Sequence, residues 1–130
     1  MEYFFYMIDL EIMESIKKMK DSGTSEEELL IEIKTNGEYL ATYSEKKYCE
    51  LIANLGEENA TMINNEFIDL VELKAIYDNV KSDFDKDIIR DFKIMIYNAI
   101  SNCKGIIILK MKTKEEDIKP AKKWFEIWKK

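Results

Sequence analysis

Residues 85–104 constrain the fold more than any other stretch. Ile88, Ile89, Phe92, Met95, Ile96, Ala99, Ile100 and Cys103 recur at helical spacing on one face, which predicts a long amphipathic helix. A stripe of that width has to be covered by a second apolar layer. Asp83 or Asp85 is placed to cap the helix, and Gly105 to stop it. Ile106 to Met111 then reads as a buried strand, and the aromatic run Tyr3 to Ile8 reads as another. With 130 residues and 46% hydrophobic content, the chain is long enough to bury a core of its own and too apolar to stay disordered. One domain over residues 1–130 is expected, since the four glycines and one proline fall at element ends and no linker or repeat interrupts the chain.

Between these landmarks the pattern is mixed. Asp9, Glu11 and Glu14 precede Lys17, Lys18 and Lys20, an order that complements a helix dipole and predicts a helix over 10–21 with Gly23 beyond it. Ile31 and Ile33 alternate with Glu32 and Lys34 before Asn36-Gly37 and Glu38 to Tyr43, which reads as a hairpin on a type I′ turn. The competing reading is a helix, because Ser25 and Glu28 have capping-box spacing and Gly37 could close it; the Asn-Gly signal favours the hairpin. Ser44 caps a predicted helix carrying Tyr48, Leu51, Ile52 and Leu55, ended by Gly56. Residues 60–80 read either as a hairpin turning at Asn64-Asn65, with Leu73 to Tyr77 as further strand, or as a helix starting at Asp69 and Glu72. Pro120 opens a short final helix with Trp124, Ile127 and Trp128. The expected fold is α+β, an antiparallel sheet packed with about four helices in the order β-α-β-β-α-β-β-α-β-α. Its expected core includes Ile33, Leu40, Leu51, Ile52, Phe92, Met95, Ile96, Ile107 and Leu109.

The chain has no histidine. That removes Ser-His-Asp and Cys-His catalysis, the usual general base near neutral pH, and every His-containing metal site. Arg90 is the single arginine beside 19 lysines, which disfavours bidentate readout of guanine or phosphate and also fits an AT-rich genome. Cys49 and Cys103 form no CxxC pair and lie on the apolar stripes of predicted helices, so both are expected to be buried thiols in a reducing compartment. Met1 to Ile8 lacks the features of a signal peptide, and no apolar run is long enough to span a bilayer. A cytoplasmic protein is expected, with no membrane partner and with the sequon Asn59-Ala60-Thr61 unused.

Motif searches return little chemistry. A calcium loop opened at Asp83 needs Gly at its sixth position and Glu at its twelfth; Ile88 and Ile94 stand there. Tyr43 and Lys47 share the Tyr-x-x-x-Lys spacing of short-chain dehydrogenases, but no glycine-rich nucleotide loop accompanies them. No catalytic residue, cofactor or metal is expected. Glu26-Glu27-Glu28 reads as a solvated turn or first helical turn.

Charge is segregated. Residues 104–130 hold nine Lys and four acids, a net +5, and residues 1–103 hold 11 bases and 22 acids, a net −11. An acidic body can occupy a basic groove on a partner, and Glu57, Glu58, Asp83, Asp85 and Asp87 are the candidate contacts. The tail offers Lys122, Lys123, Trp124 and Trp128 for phosphates and stacked bases. The two regions could equally attract each other within a monomer or a homodimer.

Residues 30–77 carry a recognisable rhythm: a hairpin ending in Asn36-Gly37-Glu38, then Tyr43-Ser44-Glu45 and a short helix, then Met62-Ile63-Asn64-Asn65-Glu66-Phe67-Ile68-Asp69-Leu70. This resembles small accessory proteins of phages and mobile elements of low-GC Gram-positive bacteria. The resemblance implies an accessory role acting on a host or defence protein, and transfers no functional residue. The expected function is therefore a non-enzymatic interaction protein, a phage-type inhibitor working through an acidic surface. The alternative is a nucleotide- or nucleic-acid-binding module using the Lys- and Trp-rich C-terminus.

Overall fold

A computed structural model describes residues 1–80 and 86–111. Four strands form one sheet: β1 (Glu2–Ile8), β2 (Glu38–Ser44), β3 (Phe67–Ile68) and β4 (Gly105–Met111). Their spatial order is β2-β1-β4-β3, and every neighbouring pair is antiparallel. Six helices among the described residues cover the sheet: α1 (Leu10–Asp21), α2 (Glu26–Asn36), α3 (Glu45–Leu55), α4 (Glu57–Asn64), α5 (Leu70–Asn79) and α6 (Asp87–Ser101). The fold is α+β.

The two central strands have no polar face because both of their faces are covered. Tyr3, Phe5 and Met7 of β1 and Ile106 and Ile108 of β4 join a core built with α3 to α6, where Leu51, Ile63, Leu73, Ile76, Phe92 and Ile96 are almost fully buried. The intervening residues Tyr6, Ile8 and Ile107 point to the opposite face and pack on Met13 and Ile16 of α1 and Ile33 of α2. This is period-2 alternation with apolar residues on both sides of the pleat. Of the expected core, Ile33, Leu51, Phe92, Met95, Ile96 and Ile107 are buried, whereas Leu40, Ile52 and Leu109 are half-buried at its margins. Leu40 is a bulge: the register of β1 against β2 steps from Phe5 opposite Ala41 to Tyr6 opposite Tyr39, so the edge strand carries one extra residue there.

The expected hairpin over 31–43 does not form, and only its second strand exists, as β2. Residues 26–36 are α2 because local capping and the second face of the sheet both favour a helix. The Ser25 hydroxyl accepts from the Glu28 N–H, three glutamates occupy the first turn, and Ile33 alone is buried while Ile31 is 62% exposed. A hairpin would have put Ile31 and Ile33 on one face; a helix sets them far apart around its axis. Gly37 is not a positive-φ turn residue either, since its φ is −99° and ψ 159°. It is required for closeness: a Cβ there would stand 2.7 Å from the Ile33 carbonyl oxygen and 3.3 Å from Tyr6 Cβ.

The expected hairpin at 61–68 is likewise replaced. Residues 57–64 are α4, which buries Ala60 and Ile63, and only Phe67–Ile68 is strand. The chain reverses at Glu66, in the left-handed region at φ 72°, whose carbonyl accepts from Ile108 N–H at 2.9 Å. The helical alternative at 69 is the one that forms: Asp69 and Glu72 close a full capping box at 2.8 and 3.1 Å.

Helix α6 forms as the stripe predicts, with Lys86 at its N-cap position and no side-chain cap bond; Asp83 and Asp85 lie outside the described residues, as does the segment assigned to the final helix. Its stop is Cys103 rather than Gly105. Cys103 adopts φ 56°, its N–H donates to the Ile100 carbonyl and that of Lys104 to Ala99, the Schellman closure. Helix α1 ends in the same way with Gly23 at φ 89°. Cys103 thereby turns outward and is exposed, as is Cys49, so neither cysteine is the buried apolar residue the stripes suggest.

Two stability outcomes follow from these turns. Gly37→Ala should destabilise the chain by about 1–3 kcal/mol through overpacking, despite an ordinary φ. Cys103→Gly should raise stability, and Cys103→Val should lower it by about 1–2 kcal/mol, because a side chain in the left-handed region is strained. Urea midpoints by circular dichroism read all three; an unchanged midpoint for Gly37→Ala would contradict the close approach.

Candidate interaction surface

Of the candidate acids of the body, the described ones, Glu57, Glu58 and Asp87, are not brought together, and Asp83 and Asp85 lie outside the described residues. Glu57 and Glu58 occupy the first turn of α4 and are exposed, where they complement its dipole. Asp87 opens α6, is exposed, and pairs with Arg90 at 3.0 Å. It lines a cleft between α3 and α6 together with Lys47, Glu50, Asn54, Lys86 and Asp91. Lys86 Nζ donates there to Asn54 Oδ1 at 3.1 Å. Three acids face two lysines, so the cleft is mixed in charge, and neither Glu57 nor Glu58 lines it. Lys122, Lys123, Trp124 and Trp128 lie outside the described residues. Among the described residues no group of three Cys, Asp or Glu side chains is placed to hold a metal ion. No described helix is long and apolar enough to cross a membrane. Asn59 of the sequon is 6% exposed inside α4 and donates its amide to the Leu55 carbonyl at 2.9 Å, which leaves that nitrogen no room for a glycan.

The most acidic described element is α2, whose Glu26-Glu27-Glu28 the sequence reads as a solvated turn or first helical turn and whose Ile31 to Lys34 it reads as a hairpin strand. It carries Glu26, Glu27, Glu28 and Glu32 against a single Lys34. Its helical period divides these between two sides. Ile31 faces outward with Glu27 and Glu28 one turn before it and Lys34 and Thr35 one turn after it, whereas Glu32 is half-buried. The other side turns toward the sheet, where only Ile33 is buried and Leu29 and Leu30 are half-covered. The signal for this was the run Glu26-Glu27-Glu28 just after a capping serine, which reads as a helix start once the hairpin is set aside.

Beneath α2 runs an apolar groove of about 470 Å³. Its walls are Ile16 of α1, Leu29, Leu30 and Ile33 of α2, Phe67 of β3, and Ile107, Leu109 and Met111 of β4. Lys20, Glu26, Glu27, Glu66 and Lys110 ring it. Glu66 is held by Lys20 at 3.2 Å and Lys110 at 3.8 Å, and Lys20 Nζ lies 5.4 Å from the centre of the Phe67 ring. The groove exists because β3 is only two residues long and pairs with Ile106 and Ile107 alone, so nothing described flanks β4 from Leu109 onward on that side.

On the opposite face an aromatic cluster locks β1, β2 and α3. Tyr3 stacks on Tyr48 with ring centres 3.8 Å apart, and Phe5 tilts against Tyr43 at 4.8 Å. Lys47 Nζ stands 4.4 Å over the Tyr43 ring. The Tyr48 hydroxyl donates to Asn64 Oδ1 at 3.0 Å. Burial first, then the negative charge of Asp91, pushes the Tyr43 phenol up to about 12. Burial first, then the Tyr3 phenol and the Glu66 carboxylate, does the same to Tyr48. The Cys49 thiol is also raised, chiefly by its hydrogen bond to Glu45, which makes it a poor nucleophile.

Comparison with known protein families, curated proteins and solved structures finds no match. The surface therefore has to be read from its own chemistry.

The tyrosines predict an alkaline weakness. Above pH 10 the unfolded chain gives up phenolic protons that the folded chain retains up to about 12. The folded state then binds more protons, so stability is constant with respect to these groups below pH 10 and falls between about 10 and 12. Tyr43→Phe should flatten that fall; denaturant midpoints at about pH 9 and about pH 11 compare the two chains, and an equally steep loss in the variant would remove Tyr43 from the account.

Proposed function

We propose that the chain is a small non-enzymatic interaction protein that binds a basic partner through the outer face of α2. The observation that carries this reading is Ile31, 62% exposed one turn beyond Glu27 and Glu28 on the most acidic described helix. An apolar anchor beside two carboxylates suits a partner surface that combines lysine or arginine with an apolar pocket. The negative body, net −11 over residues 1–103, extends the attraction beyond the contact and speeds encounter. The absence of histidine from the chain supports a binding role over acid–base catalysis. The resemblance of residues 30–77 to phage accessory proteins, without the hairpin at Asn36-Gly37, is the ground for taking that partner as a host or defence protein and the protein as its inhibitor. Two exposed, unpaired cysteines suit a reducing cytoplasm.

The test is capture from lysate of a low-GC Gram-positive bacterium, with the unaltered chain and with Glu28→Lys, Ile31→Ser and Thr35→Lys combined, all at exposed positions of α2. A partner of the proposed kind binds the unaltered chain and loses at least about tenfold in affinity, about 1.4 kcal/mol, with the triple variant. Binding should also weaken between about 0.1 M and about 1 M salt, as the Debye length shrinks from about 10 to about 3 Å. Capture that ignores both the substitutions and the salt would sink the acidic-face reading.

A further inference from the structure

The groove beneath α2 lies beside the point where the described chain ends. Its lining includes Met111, the last described residue. The following segment, residues 112–130, contains both tryptophans of the chain and seven lysines. Trp124, Ile127 and Trp128 recur at i, i+3 and i+4, and residues 118–130 hold five Lys and one acid, Glu126. At the groove mouth Glu26 and Glu27 make no ion pair with another described residue. We propose that the groove is the seat of the chain's own C-terminal segment, with Trp124 and Trp128 filling the apolar trough and Lys122 and Lys123 meeting Glu26 and Glu27.

Four properties agree with that occupant. The lining is apolar along its length; at its mouth Lys20 and Lys110 are taken up by Glu66, which leaves Glu26 and Glu27 as acids with no ion pair among the described residues, and the segment is aromatic and basic. Trp124 lies thirteen positions beyond Met111, a span that can reach about 43 Å when extended, far enough to double back along the groove. A tethered segment acts at an effective concentration of the order of mM, so modest intrinsic affinity is enough. Two tryptophans bring on the order of 300–500 Å² of buried surface, and the groove exposes the margins of a core that otherwise ends half-covered at Leu29, Leu30 and Leu109.

Trp124 and Trp128 are the only tryptophans, so indole emission of the full chain reports on this segment alone. The expected result is blue-shifted emission with acrylamide quenching well below that of free tryptophan, unchanged on dilution. Leu30→Glu should return both to water-like values. Glu26→Lys with Glu27→Lys, at exposed positions, should reverse the shift most strongly at low salt, and it keeps the test open if Leu30→Glu fails to fold. Water-like emission of the unaltered chain overturns the proposal. So does a blue shift that both variants leave intact. A shift that fades on dilution as a dimer dissociates in sedimentation also overturns it, assigning the groove to the tail of a second copy. These readouts are independent of any partner on the outer face of α2, so this proposal and the proposed function fail separately.

Discussion

The pairing of β1 with β4 is what the rest of the molecule depends on. Seven consecutive positions, from Glu2 opposite Met111 to Ile8 opposite Gly105, form the ladder. Because both strands are apolar on both faces, the ladder can exist only if two separate helical layers cover it. Helices α1 and α2 supply one and α3 to α6 the other. The ladder also satisfies the backbone polar groups that this burial takes from water. Phe5, Ile8, Ile106 and Ile107, each at most 1% exposed, lie on the strand pair and belong to both layers in turn. Removing either layer would expose a row of aromatic and isoleucine side chains rather than a polar sheet face.

That arrangement explains which parts of the fold could be read from the chain. The strongly periodic segments were legible: the stripe Ile88 to Ala99, the acid-to-base gradient of 10–21 and the Ser44 cap each form the expected helix. The errors share a cause. At 31–43 and 61–68 short apolar runs beside Asn-Gly and Asn-Asn satisfy strand and helix templates alike, and only tertiary context separates them. The sheet already has its central strands, so what it lacks on its second face is a helix, and residues 26–36 supply it. Asn36-Gly37 is then a helix exit into an edge strand, with Asn36 spending its amide on the Glu32 carbonyl at 3.0 Å. The Cys103 stop was unreadable for a different reason: nothing in a cysteine announces a left-handed backbone.

The candidate surface was legible in charge and illegible in place. A count of acids separates body from tail, but it does not say which acids converge. Glu57, Glu58 and Asp87 each sit in the first turn of a helix, where a carboxylate is expected for dipole reasons alone. The exposed isoleucine one turn beyond Glu27 and Glu28 exists only because 26–36 is a helix, which the alternation at 31–34 conceals. The groove below it depends on the brevity of β3, a property of pairing that no residue pattern advertises.

The ladder between β1 and β4 also sets a temporal order. Its partners stand about a hundred positions apart, since Glu2 meets Met111, and β2 joins β1 from the other side. Non-local pairing of this kind makes folding slow, because the chain must close a long loop before the contacts reward it. A chain growing from the ribosome can form α1, α3 and α5 as it emerges, yet β1 has to wait with its aromatic face unfinished. For that interval the first strand to be made is the one most exposed to wrong pairing. Completion of the core is thus tied to synthesis of its last described strand, and a chain shortened before β4 would be left with its central seam open.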